Sequence, residues 1–153
     1  LVALANEACF VRGANVEGLR QWAEASHGTA ATAKELQSQS NDYTTLVGGW
    51  TLSTSIGVVA VIQSEFRPPQ SGHVCSITAK LLDDQQHRQT KADFERQFET
   101  RIEEEKDAPD QHIDRFWIER GKGPAVKATI MFTKSKRVIT IRMIHGNARP
   151  LRS

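Results

Sequence analysis

The sequence has few of the features that would identify a catalytic or metal-binding protein directly. It contains only two cysteines in 153 residues and has neither a CxxC nor an HExxH segment, so the common zinc-ribbon and zinc-protease patterns are excluded. No GxSxG segment is present, and an α/β-hydrolase therefore has no support. These absences favour a protein that acts through a surface, or through residues scattered along the chain.

Long apolar runs and a strong excess of one charge are also missing. The longest clean apolar stretch, residues 56–62, is strand length and falls far short of the roughly eighteen residues that span a membrane. A net charge of +2 is too small to indicate nucleic-acid or membrane binding by itself. With 39% hydrophobic and 25% charged residues, the chain has an ordinary globular composition. We expect one domain, residues 1–153, that folds without a cofactor.

The spacing of apolar residues predicts an α+β fold with a mostly antiparallel sheet of about six strands and two main helices on one face. Asn15 is expected to cap the first helix and Thr90 the second, whose core stripe would be Phe94, Phe98 and Ile102. Main strands are predicted at residues 50–55, 58–66, 73–82, 115–120, 126–133 and 138–144, with a short first strand at 8–12. Turns are predicted at 67–72, 121–124 and 134–136, a weak helix at 33–36 before a loop, and a frayed tail from Gly146 to Ser153.

Alternation along three of these strands predicts which side chains face the core. The expected buried residues are Cys75, Ile77 and Ala79, then Ala128, Ile130 and Phe132, then Ile139, Ile141 and Met143. The two halves of the chain, residues 8–82 and 90–145, also share the order of a helix followed by a meander. This order indicates a structural repeat, although a chance match of such common patterns explains it equally well.

The two cysteines leave two interpretations open. In an exported protein, Cys9 and Cys75 would form one disulfide, whereas in a cytosolic protein they would be two small buried thiols. Ala3-Leu4-Ala5 matches the small-x-small pattern that precedes a signal-peptidase cleavage site. The alternative is that Leu1 marks the boundary of a fragment. We favour the disulfide.

The densest group of metal-binding residue types is Asp107, Asp110, His112 and Asp114. Carboxylates of this kind suit a hard cation, but a polar loop that leads into a strand is the favoured interpretation, and no metal site is predicted. His73 and Cys75 lie two residues apart on one strand face, a spacing compatible with a Cys–His pair. A strand start with one buried thiol explains them more simply.

Charge is distributed unevenly along the chain. Residues 83–110 include ten acidic and five basic residues, whereas residues 115–153 include ten basic residues and only Glu119 as an acid. We predict a binding surface on the last strands formed by Trp117, Lys127, Lys134, Lys136, Arg137 and Arg142. Basic and aromatic groups on a sheet can bind RNA or single strands, but the aromatic signature of an RNA-recognition motif is missing. A basic sheet that balances an acidic helix is the simpler explanation.

Four local features define the layout of the chain: Cys9 in the predicted first strand, the Leu19-Arg20-Gln21-Trp22 helix, Trp50 at the start of the sheet, and Cys75-Ser76-Ile77. This layout resembles small exported proteins of unknown function from Gram-negative bacteria. The resemblance implies export and no particular activity.

The leading functional hypothesis is a non-catalytic binding or interaction module of the bacterial cell envelope, periplasmic or secreted, whose partner is another protein. Its basis is the absence of a convergent acid, base and nucleophile in the sequence. One alternative is a small enzyme with a dispersed active site. The other is a nucleic-acid binder that uses the basic C-terminal hairpin. A cytoplasmic location is the alternative to export.

Overall fold

The computed structural model describes residues 1–34, 41–81, 84–119 and 125–146. Two short helical segments come first, α1 (Val2–Ala5) and a π-helical segment (Asn6–Phe10), followed by the helix α2 (Val16–Ala25). The first four strands are β1 (Thr29–Ala30), β2 (Thr44–Thr54), β3 (Gly57–Phe66) and β4 (His73–Lys80). The helix α3 (Asp84–Gln97) then leads into β5 (Thr100–Asp107), β6 (Gln111–Ile118), β7 (Val126–Thr133) and β8 (Val138–His145).

The eight strands form one antiparallel sheet in the order β1-β2-β3-β4-β8-β7-β6-β5. Each half of the chain therefore supplies a helix followed by a four-stranded meander. The halves meet at the centre of the sheet, where β4 pairs with β8 and Ile77 lies opposite Ile141. The α+β class and the antiparallel sheet are confirmed, but the predicted number of about six strands is wrong.

The hydrophobic core lies between the helices and one face of the sheet, which we call the inner face. Helical residues such as Leu19, Ala23 and Phe94 belong to the same buried cluster as residues from both meanders. The predicted alternation is confirmed, since all nine residues expected to face the core are at most 5% exposed: Cys75, Ile77, Ala79, Ala128, Ile130, Phe132, Ile139, Ile141 and Met143. The opposite side of the sheet is the outer face.

The N-terminal segment is helical, so the strand predicted at residues 8–12 is wrong. Val2, Ala5, Ala8 and Cys9 recur at helical spacing, and all four are buried against the rest of the core. Asn15 does cap α2, because its side-chain oxygen accepts a hydrogen bond from the Gly18 amide at 2.7 Å.

A disulfide between Cys9 and Cys75 joins this helical segment to β4 in the centre of the sheet. Two buried polar side chains reinforce the junction: Gln63 donates to the Gly13 carbonyl at 2.7 Å, and His145 Nε2 donates to the Cys9 carbonyl at 2.6 Å. A β-carbon on Gly13 would lie only 2.2 Å from the Cys9 carbonyl oxygen, so glycine is required for this close approach. The disulfide interpretation of the two cysteines is the one that the structure shows.

The second helix and the strand that follows it differ from the prediction. Thr90 lies inside α3 and donates to the Gln86 carbonyl at 2.7 Å, so it is not the cap. Ile102 lies on β5, where it is 54% exposed, so it is not part of a helical core stripe. The glutamate-rich segment after Gln97 favours a helix by propensity, but antiparallel pairing with β6 determines its conformation instead.

Other boundaries also shift. β2 begins at Thr44 and β6 at Gln111, several residues before the predicted starts, and Thr29–Ala30 forms an edge strand that was not predicted. The predicted turn at 121–124 lies outside the described residues, as do residues 147–153 of the predicted tail. Of the weak helix predicted at 33–36, Ala33 and Lys34 are helical and the other two residues lie outside the described part of the chain.

Candidate functional site

Three basic side chains and one tryptophan lie together on the outer face of β6, β7 and β8. Trp117 lies opposite Lys127 in one cross-strand row, while Arg115 and Arg142 both flank Thr129 in the next row. We call these four residues, Arg115, Trp117, Lys127 and Arg142, the basic platform. They point outward because their neighbours along the strands, including Phe116, Ala128 and Met143, fill the inner face.

One side of the platform combines an aromatic ring with an ammonium group. The Lys127 Nζ atom lies 5.4 Å from the centre of the Trp117 ring, within the range of a cation–π contact. The same ammonium group is 3.0 Å from Glu103 on the edge strand β5. Lys127 thus makes a cation–π contact with Trp117 and an ion pair with Glu103, and this carboxylate balances the positive charge of Lys127.

The other side of the platform has more positive than negative charge. Arg115 forms an ion pair with Glu104, but Arg142 has no acidic partner among the residues that the structure describes. Desolvation by neighbouring atoms, and then the positive charge of Arg115, lower the pKa of Arg142. The only acid in β6, β7 and β8 is Asp114, which lies on the inner face. An anion bound beside Arg142 would relieve this repulsion.

Apolar side chains flank the platform. Phe66 and Val74 form a small buried cluster on the outer face, and Ile144, the cross-strand neighbour of Lys127, packs against it. Ile113 and Met131 lie opposite each other on the other side of the Arg115 row and are partly buried. The outer face therefore presents basic groups between two apolar areas.

The structure divides the predicted binding surface into two parts. Trp117, Lys127 and Arg142 come together, whereas Lys134, Lys136 and Arg137 lie in the turn between β7 and β8. Lys134 lies seven positions after Lys127, just beyond the end of β7, which corresponds to a distance of about 24 Å along the strand. Lys134 also pairs with Asp107 at 2.9 Å. Sequence reasoning missed Arg115, which the alternation of β6 would have placed beside Trp117.

A second polar group lies on the inner face, where α3 covers the end of β6. Three of the four residues of the predicted acidic cluster belong to this group. His112 and Asp114 face α3, and Asp107 accepts a hydrogen bond from His112. Asp110 instead accepts hydrogen bonds from the Ser135 hydroxyl at 2.9 Å and the Ser135 amide at 2.8 Å, which lower the pKa of Asp110.

The structure adds three residues to this inner group, namely His87 and Lys91 from α3 and Glu105 from β5. Lys91 lies 3.0 Å from Asp114, and although desolvation disfavours its charged form, the hydrogen bond and charge of Asp114 raise the pKa of Lys91. His112 and Asp114 belong to the predicted acidic cluster, but no sequence pattern joins His87 to them, because 25 positions separate His87 from His112.

His73 and Cys75 do not form the Cys–His pair with which their spacing is compatible. The Cys75 sulfur is bonded to Cys9, so it has no thiolate to act as a nucleophile. His73 lies at the start of β4, opposite His145 of β8.

Comparison with protein-family models, with curated proteins and with solved structures finds no match to this chain. Among the described residues, no helix is both long enough and apolar enough to cross a membrane.

Proposed function

We propose that this protein is a non-catalytic binding module of the bacterial cell envelope, and that its outer sheet face binds an acidic segment of another protein. The observation that carries the proposal is Arg142, an exposed residue beside Arg115 with no acidic partner among the described residues. Guanidinium groups bind carboxylates in a bidentate geometry, so glutamate or aspartate side chains fit this position.

The size of the face supports a protein partner. Six spacings of about 4.8 Å between the seven longer strands, β2 to β8, and strands of about 27 Å, give roughly 780 Å². This area is close to the about 800 Å² that each partner buries in a standard interface. The partly buried Ile113 and Met131 on one side of the platform, and Ile144 on the other, would pack against apolar residues that flank the acidic ones in the partner.

The cell-envelope location rests on the disulfide. Cys9 and Cys75 are the only cysteines in the sequence, and they are bonded to each other. Such bonds form and persist in oxidising compartments and are rare in the cytosol. The resemblance to small exported proteins of Gram-negative bacteria agrees with this location.

A labelled peptide that alternates glutamate with leucine is the direct probe of the outer face. We expect fluorescence anisotropy to show binding by the native protein, and Arg142→Gln to weaken it about tenfold or more, because a charge-assisted hydrogen bond contributes about 1.5–3 kcal/mol. Lys136→Gln removes the same charge from the distant turn and should change affinity less than about twofold.

Two results would refute the proposal. One is equal weakening by Arg142→Gln and Lys136→Gln, which would mean that only net charge matters. The other is tight, steeply salt-dependent binding of a single-stranded oligonucleotide with no binding of the peptide, which would favour the nucleic-acid alternative.

A further inference from the structure

Three side chains of the inner polar group lie close enough together to contact one metal ion. His87 of α3 and His112 and Asp114 of β6 each offer one ligand atom, and these atoms all lie within 4.8 Å of one another. We propose that these three residues bind one divalent transition-metal ion of the zinc class, with Glu105 available as a fourth ligand. The site is on the opposite side of the sheet from the basic platform and does not depend on the proposed function.

The orientation of His112 supports the proposal. Its Nδ1–H donates to Asp107 Oδ1 at 3.3 Å, and Lys134 donates to the same oxygen at 2.9 Å. A carboxylate that orients the outer nitrogen of an imidazole is the usual second shell of a metal-bound histidine. This bond directs Nε2 of His112 toward Asp114 Oδ2 at 3.3 Å and Glu105 Oε1 at 3.6 Å.

These distances fit an ion between the groups. Ligands about 2.0–2.1 Å from a tetrahedral zinc ion are about 3.4 Å from one another. A neutral Nε2 lone pair that faces two carboxylate oxygens is unfavourable without a cation or a second ring proton, because all three atoms are then acceptors. With a bound metal ion, the nitrogen and the two carboxylate oxygens would all be ligands of that ion, and the conflict between acceptors would disappear.

Asp114 provides an independent observation. Its side chain is only 1% exposed, and Lys91 contacts one oxygen, Oδ1, at 3.0 Å. The other oxygen, Oδ2, is buried and has no hydrogen-bond donor among the described residues. A buried carboxylate oxygen without a donor carries a desolvation cost that a metal ion would offset.

The donor types indicate the class of ion. Two imidazoles with one or two carboxylates suit zinc and its first-row neighbours, whereas magnesium and calcium prefer oxygen ligands throughout. Three carboxylates, Asp107, Asp114 and Glu105, face two ammonium groups, Lys91 and Lys134, so the group has a net negative charge when its histidines are neutral. The ion would join α3 to β6 and so stabilise the second half of the fold.

Zinc titration of the chelator-treated, disulfide-intact protein tests the site. We expect one zinc ion per chain by calorimetry and elemental analysis, and a higher midpoint of thermal unfolding with zinc than without it. His87→Gln and His112→Gln should each weaken zinc binding at least tenfold, and Asp107→Asn should weaken it about tenfold through the second shell. His73→Gln removes a histidine at the other end of the sheet and should bind zinc like the native chain.

Circular dichroism of each variant without metal shows whether it folds, and cobalt bound to the native chain reports the histidine ligands in its visible spectrum. The proposal is overturned if zinc binds below one equivalent, or if His73→Gln weakens binding as much as His87→Gln does. Magnesium that binds as tightly as zinc would also overturn it, because the site would then be a general acidic attraction.

Discussion

Replacement of both Cys9 and Cys75 by alanine is expected to lower the free energy of unfolding by about 2–5 kcal/mol. The bond closes a loop of 66 residues, for which the loop-entropy model gives roughly 4 kcal/mol. It also fixes the N-terminal helical segment to β4. This junction lies beside the close contacts of Gly13 and the buried hydrogen bond from the Gln63 side chain to the Gly13 carbonyl. Loss of the bond leaves these contacts to hold the segment alone.

Urea denaturation of the native chain and the double variant measures this effect. The matched control is the native chain with reductant, which should become about as unstable as the variant, while reductant should leave the variant unchanged. Hydrogen exchange should show that amides of residues 2–12 lose more protection than those of β7. An unchanged denaturation midpoint in the variant would show that the disulfide does not stabilise the fold.

Apolar periodicity predicted the strands best near the centre of the sheet, where the two meanders meet. Residues 126–133 were predicted as a strand and form β7 with those bounds, because alternating burial there is complete: Ala128, Ile130 and Phe132 are at most 2% exposed. At the sheet edge the same reasoning failed. β5 is almost wholly exposed, so the segment has no apolar alternation from which a strand could be recognised.

The candidate sites were predictable only in part, for a related reason. The excess of basic residues after Arg115 predicted one surface that includes Trp117, Lys127 and Arg142, and the strand pairing places these three side chains on the outer face. The inner group depends on the position of α3 over β6, and periodicity within one element says nothing about the packing of one element on another. His87 and Lys91 therefore had no signal in the sequence, although His112 and Asp114 were noticed.

Phe94→Ala is expected to cost about 3–5 kcal/mol of unfolding free energy, which is typical of a buried phenylalanine. The Phe94 side chain is fully buried, with its ring centre 4.8 Å from that of Phe98 and 5.2 Å from that of Phe116. It therefore connects α3 to β6, and truncation leaves a cavity that the surrounding sheet cannot close. Urea denaturation measures this loss. The slope of the unfolding free energy against urea concentration should be the same in the variant and the native chain.

Ile102→Ala is the matched control, because the spacing of the sequence placed Ile102 on the same helical stripe as Phe94. The structure places Ile102 on the exposed edge strand, so its truncation should change stability by less than about 0.5 kcal/mol. A large loss for both variants would mean that α3 continues past Gln97 as periodicity predicted. That result would remove β5, and with it the pairing that brings Glu103 and Glu104 to the basic platform and Glu105 to the metal site.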